Sequence, residues 1–265
     1  MALTLRTADP AHADPCIAGA AAPRRVGFLM AELLATVPTR ALAVYAHPDD
    51  PEISCGATLA AWAAAGAEVH VLTCTRGDKG SSDPETDPEE LSRRRADEVA
   101  AAARVLGLAG HEQLDIDDGE IENSVPVRGR IVAAIRRVRP DVVVCPDPTA
   151  VIFGDTYVNH RDHRMVGWAT LDAVAPAAGN PHYFPEAGPA HQVGSVLLSG
   201  TLEPNVWVDI DATLDTKVAA LACHRSQLGG EGEEWLRAVI GARAEGDGRA
   251  VGARHAEGFR RVTLG

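Results

Sequence analysis

Long apolar runs, aromatic side chains, paired cysteines and positive charge are all in short supply in this sequence. The apolar stretch at residues 26–37 is too short to cross a bilayer and carries Glu32, which excludes a membrane span there. Residues 1–25 contain Asp9, His12, Asp14 and Arg24 and no continuous apolar core, so they do not read as a signal peptide, and a cytoplasmic location is expected. Aromatics make up 4% of the chain, which argues against a base-stacking nucleic-acid platform. Lys and Arg number 25 against 37 Asp and Glu, a net charge of -12, and phosphate binding needs clustered basic residues. Nucleic acids and anionic membranes are therefore poor partners, and a small neutral or cationic molecule fits better. The five cysteines (Cys16, Cys55, Cys74, Cys145 and Cys223) are odd in number and scattered, without a CxxC pair. Neither a disulfide framework nor a cysteine metal site follows, and small core residues are the simpler reading.

What remains is enough for one well-buried domain. The chain has 265 residues, 46% of them hydrophobic, and no convincing linker. Residues 1–38 read as a leader with a short helix through Phe28, Leu29, Leu33 and Leu34, and residues 39–265 as the domain. The run ALAVYA at 41–46 has the unbroken apolarity of a buried parallel strand. A helix over 56–65, ended by Gly66, and a second strand at 68–74 complete a βαβ unit. The pattern then predicts a loop at 76–90, a helix at 89–106 closed by Gly107, and a weak strand at 113–116. A helix at 127–138 follows, with Ile131, Ile135 and Val138 inward, then a strand at 141–145, a long loop to His160 and a helix over 161–174. Strands at 193–198 and 206–210 and a helix at 213–223 come next, while 229–248, rich in Gly and Glu, gives no readable pattern. The alternation predicts an α/β fold: a single-domain, Rossmann-like, open and mostly parallel sheet with helices on both faces.

Two clusters follow the strongest strands, where sites form in such sheets. AHPDDPE, residues 46–52, places His47 and Asp50 three apart in a turn stiffened by Pro48, with Asp49 between them. NHRDH, residues 159–163, places His160 and His163 on one face of a helix start. A hydrolytic zinc site needs three protein ligands and an open position, and the two loops together can supply His₂Asp with a spare carboxylate. Taken singly, the clusters have plainer explanations: a Pro-Asp-Asp turn with Asp50 capping a helix, and a solvated helix terminus.

These motifs resemble the PIG-L/LmbE-like family of zinc-dependent N-deacetylases. AHPDDPE and HRDH carry the resemblance, supported by TRGDKGSSDP at 75–84 and CHRSQ at 223–227, and it spans roughly residues 40 to 228. It implies an LmbE-like fold in which His47, Asp50 and His163 bind zinc, ferrous iron being the alternative metal. It also implies that Asp49 is the general base and that His160 is an electrophilic or acid partner steadied by Asp162. Pro51 departs from the best-known members, which have a Glu directly after the two aspartates, so Glu52 is given no role. Arg76, Asp78 and Lys79 are candidates to touch substrate hydroxyls or simply a polar loop. Asp147 is either a support for a ligating histidine or an Asp-Pro turn, and His224 reads as a buried structural histidine. The implied reaction is removal of an acetyl or small acyl group from a small N-acylated amino sugar, with a homo-oligomer left open. The rivals are an amidase acting on a larger sugar or thiol conjugate, and a non-catalytic sugar- or nucleotide-binding module. The last is disfavoured because no GxGxxG follows residues 41–46 and the carboxylates there would repel a pyrophosphate.

Overall fold

The computed structural model describes residues 31–265, in which strands and helices alternate for most of the length. The chain runs β1 (Glu32–Leu33), β2 (Arg40–Tyr45), α1 (Asp50–Ala64), β3 (Glu68–Thr75), α2 (Pro88–Leu106), β4 (Gly110–Ile116) and α3 (Val125–Val138). It continues through β5 (Val142–Pro146), β6 (Ile152–Phe153), β7 (Tyr157–Val158), α4 (Arg161–Asp172), β8 (Ser195–Ser199) and β9 (Val206–Asp209). It ends with α5 (Leu214–Leu221), α6 (Glu233–Val251) and β10 (Ala256–Thr263). Eight strands form one sheet in the order β1-β9-β10-β8-β5-β2-β3-β4, and β6 and β7 pair separately. All pairings in the large sheet are parallel except those of β10, which runs antiparallel to β8 and β9.

The unbroken apolarity of the central strands reflects burial on both faces. Leu42 and Val44 of β2 enter one core with Val143, Cys145, Ile131, Ile135 and Val166, beneath α3 and α4. Ala41, Ala43 and Tyr45 point the other way, into a core shared with Leu59, Val218, Leu236, Ile240 and Phe259 from α1, α5, α6 and β10. This is the expected open sheet with helices on both faces. Among the described residues no helix is long and apolar enough to cross a membrane. Cys55, Cys74 and Cys145 are buried and unpaired and Cys223 is half-buried, as small core residues would be, while Cys16 lies outside the described residues.

Several boundaries differ from the sequence reading. Phe28 and Leu29 of the expected leader helix lie outside the described residues, but Leu33 belongs to a strand. Glu32 and Leu33 pair with Val206 and Trp207, and the Leu34 amide donates to the Trp207 carbonyl at 2.7 Å, so an open sheet edge overrides local helical pattern. Helix α1 begins at Asp50 rather than near 56, because it is kinked at Cys55 (φ −146°, ψ 18°) and the periodic part lies beyond the kink. The loop before His160 holds the β6–β7 hairpin, and the unreadable stretch is mostly α6, a 19-residue helix.

Candidate metal centre

Strand β2 lies between β5 and β3, so the connections leaving its C-terminal end and that of β5 open a crevice at the switch in strand order. His47 leaves β2 into this crevice, and His160 and His163 arrive with the first turn of α4, which packs on β5. Pro51 in the first turn of α1 suits a helix start, and the turn before it is tight enough to put Asp49 at φ 104°. A positive φ at a non-glycine residue costs on the order of 1–3 kcal/mol, and such strain collects at functional sites.

The two clusters converge. His47 Nδ1 lies 3.1 Å from Asp50 Oδ2 and 3.3 Å from His163 Nε2, and His163 Nε2 lies 3.1 Å from Asp50 Oδ1. A tetrahedral zinc with ligand bonds of about 2.0–2.1 Å holds its donor atoms roughly 3.3 Å apart, so these three side chains are spaced for a small divalent ion. His47, His160 and His163 also offer ring nitrogens within 4.8 Å of one another, but Asp50 sits nearer the pair. The charge balance points the same way. Asp49, Asp50 and Asp162 are buried carboxylates within this centre, joined by the buried Asp118, and the guanidinium at Asp49 belongs to Arg95. Buried charge needs an opposite charge, which a divalent cation would supply.

Each histidine is oriented from behind. His47 Nε2 is 3.0 Å from Asp118 Oδ1 and 3.5 Å from Asp162 Oδ2, which leaves Nδ1 toward the ligand cluster. Asn159 donates through Nδ2 to the Ala150 carbonyl at 2.8 Å, so its Oδ1 accepts from His163 Nδ1 at 3.0 Å and frees His163 Nε2. The Asp162 amide donates to His160 Nδ1 at 3.2 Å, so the neutral His160 ring carries its proton on Nε2. Asp162 therefore steadies His160 with its backbone, while its carboxylate accepts from the Gly119 amide at 2.7 Å and faces His47.

Burial lowers the His160 pKa, helped by His47, to about 4. Burial also acts against charge on His47, but Asp50, Asp118 and Asp162 outweigh it and hold that ring well above its usual value. Burial raises the Asp49 carboxyl against the pull of Arg95, and Asp49 stays above the ordinary range. Asp50 is buried too, yet His163 and His47 hold it well below.

Arg95, Asp118 and Asn159 were not singled out from sequence. Arg95 is 2% exposed, is 3.3 Å from Asp49, and donates to the Gly77 carbonyl at 3.0 Å and to the Pro48 carbonyl. Its signal was present: the buried face of α2 is Leu91, Arg95, Glu98, Ala102 and Leu106, so two charges stand in an inward stripe. Asp118 had no such mark.

The secondary candidates divide. Arg76 pairs with Glu89 at 2.9 Å and with Asp117, Lys79 donates to the Asp118 carbonyl at 2.7 Å, and Asp78 accepts from the Asp118 amide at 2.8 Å. These three brace the loop that carries Asp118, and none lines the cavity over the centre. Asp147 accepts from Thr149 and Thr201, both hydroxyls at 2.6 Å, and the side chains behind His47 and His163 are Asp118 and Asn159 instead. His224 is buried as expected but also lines the cavity, and its Nε2 lies 3.4 Å from Glu52 Oε2. Burial disfavours its charge, and Glu52 more than offsets that, leaving its pKa raised.

Residues 42–174 match the family described as PIG-L, GlcNAc-PI de-N-acetylase. The diacetylchitobiose deacetylase of Thermococcus kodakarensis is 34% identical over 227 residues, covering 84% of this chain and 83% of that protein. The 1D-myo-inositol 2-acetamido-2-deoxy-alpha-D-glucopyranoside deacetylase of Rhodococcus jostii is 32% identical over 246 residues, 71% of this chain and 82% of that one. The crystal structure of N,N'-diacetylchitobiose deacetylase from Pyrococcus horikoshii, complexed with its inhibitor MPG, aligns with a TM-score of 0.77 and 30% identity over 85% of this chain and 84% of its own. The chain belongs to the PIG-L family of deacetylases.

Proposed function

We propose that this protein is a metal-dependent N-deacetylase that removes the acetyl group from a small N-acetylated amino sugar or its conjugate. The observation that carries the reading is the mutual approach of His47, Asp50 and His163 at 3.1–3.3 Å, with the Asp49 carboxylate beside them. Both relatives named above act on N-acetylated amino sugars by their names, and the site residues fall inside the matched segment. Zinc is the metal we assign, with ferrous iron as the alternative, and His47, Asp50 and His163 would hold it. A bound divalent ion supplies Lewis-acid polarisation of the amide carbonyl and lowers the pKa of a bound water toward about 7.

The chain's own groups supply the proton chemistry. Asp49, shifted up by burial, accepts a proton from the attacking water. Arg95, 3.3 Å away, holds that carboxylate in place. His160 is neutral near pH 7 and presents Nε2–H, so it donates a hydrogen bond to the carbonyl oxygen as negative charge develops there. When the C–N bond breaks, the proton held by Asp49 returns to the departing amine.

The test pairs elemental analysis of the purified protein with amine release from a panel of N-acetylated sugars. About one zinc or iron per chain and release from at least one sugar are expected. A metal-free protein that gains nothing from added zinc or iron would end this reading.

A further inference from the structure

Resting on the deacetylase reading, we propose that the cavity over the metal centre contains an apolar chamber built by α6. Its occupant is an alkyl or aryl group carried by the N-acylated substrate. The cavity holds about 440 Å³, within the range of small-molecule sites, and is continuous with His47, Asp50 and His163. Its materials are divided. The metal-centre side chains His47, Asp49, Asp50, His160 and His163 form what we call its floor, whereas α6 contributes Trp235, Leu236, Val239 and Ile240, with Arg243 alone among its charged side chains.

Helical geometry explains how one element makes both core and wall. Leu236, Ile240 and Ala244, four apart, enter the core. Trp235, Val239 and Arg243 form the neighbouring stripe, also four apart, half-buried at Trp235 and Val239 and exposed at Arg243. The apolar part of that stripe, Trp235 to Val239, extends about 6 Å along the axis at 1.5 Å per residue, room for a chain of roughly five carbons. The β6–β7 hairpin adds Phe153 and Tyr157 to the lining, paired across the two strands with ring centroids 6.0 Å apart. In a chain with four Phe, four Trp and three Tyr, this cavity takes Phe153, Trp235, Tyr45 and Tyr157. From α6 a second sugar ring would find hydrogen-bond donors only in the Trp235 indole and the exposed Arg243, and hydroxyls buried against Leu236, Val239 and Ile240 would be left without partners at a cost. An alkyl or aryl group loses nothing there.

Two series on the metal-loaded protein test this by calorimetric Kd and by kcat/KM. One is the methyl, butyl and hexyl β-glycosides of N-acetylglucosamine; the other is N-acetyl, N-butanoyl and N-hexanoyl glucosamine. Affinity should rise by roughly fourfold per methylene that becomes buried. A rise in the glycoside series puts the apolar group on the aglycone, and a rise in the acyl series puts it on the acyl chain; either supports the chamber. Flat affinity in both series overturns it, as does tighter binding of N,N'-diacetylchitobiose than of the hexyl glycoside. Val239→Asp, and Val239→Ser if the first does not fold, should collapse the hexyl-to-methyl ratio toward one. A ratio left intact in the folded variant removes α6 from the site. If none of these compounds releases amine, the deacetylase reading fails, while the calorimetric series still decides the chamber.

Discussion

The floor and the α6 wall of one cavity are built from opposite materials. On the floor, nearly every polar side chain is held by a second one: Asn159 orients His163, Asp118 faces His47, and Arg95 grips Asp49. On the wall, Trp235 and Val239 are held only by packing and by the helix they belong to. Directional contacts make a site sensitive to the loss of one atom, whereas apolar burial changes by degrees with area. The floor should therefore respond to substitution in steps of decades, and the wall in gradual shifts of preference.

The sharpest way to break that contrast is to remove a ligand. His163→Ala should lose its metal to a chelator and fall to background turnover, since two remaining ligands hold zinc poorly. Elemental analysis showing full occupancy in that variant would discard the ligand set.

Next in size is Asp49→Asn, which should lose about 10²–10⁴-fold in turnover while keeping its metal. Asn is nearly isosteric, so the turn and the Asp50 ligand survive, and metal content measured beside turnover on folded protein separates the roles. Metal lost together with activity would make Asp49 a ligand, and normal turnover would leave the reaction without its base.

Asp118→Asn and Asn159→Ala probe the layer behind the ligands. Groups in such positions are typically worth 10–100-fold in metal affinity or activity, and that is the range expected here. Affinities equal to the parent protein in metal-buffer titrations would reduce both residues to packing.

The smallest effect is a titration. In the metal-free protein, His160 should stay uncharged down to about pH 4, as followed by ring NMR. Its folded pKa is depressed from about 6.5, so between those values the unfolded chain binds the proton more readily. The ring's contribution to stability therefore rises as pH increases through that window and falls on acidification. A midpoint near 6.5 would remove the neutral donor from the mechanism.

Much of this was legible in the chain itself. The unbroken apolarity of residues 41–46 announced a strand buried on both faces, and Gly66 and Gly107 marked helix ends where the structure turns at positive φ. AHPDDPE and NHRDH each carried His and Asp within one turn, close enough to share a site, because neighbours in one turn need no distant partner to lie close. Other features depended on contacts between distant segments. Asp118 meets His47 only because β4 lies beside β3 and its outgoing loop folds back, braced by Asp78 and Lys79. Arg95 reaches Pro48 and Gly77 across the crevice from a helix whose surface pattern alone said only that a charge was misplaced. Leu33 joined a strand because an open edge at β9 accepted it. The wall of α6 was unreadable because its apolar residues divide between two adjacent stripes, one facing the core and one facing the cavity. Local spacing determined which side chains could share a turn, and packing of remote elements decided which turns face each other, since sequence distance places no limit on contact once the sheet has formed.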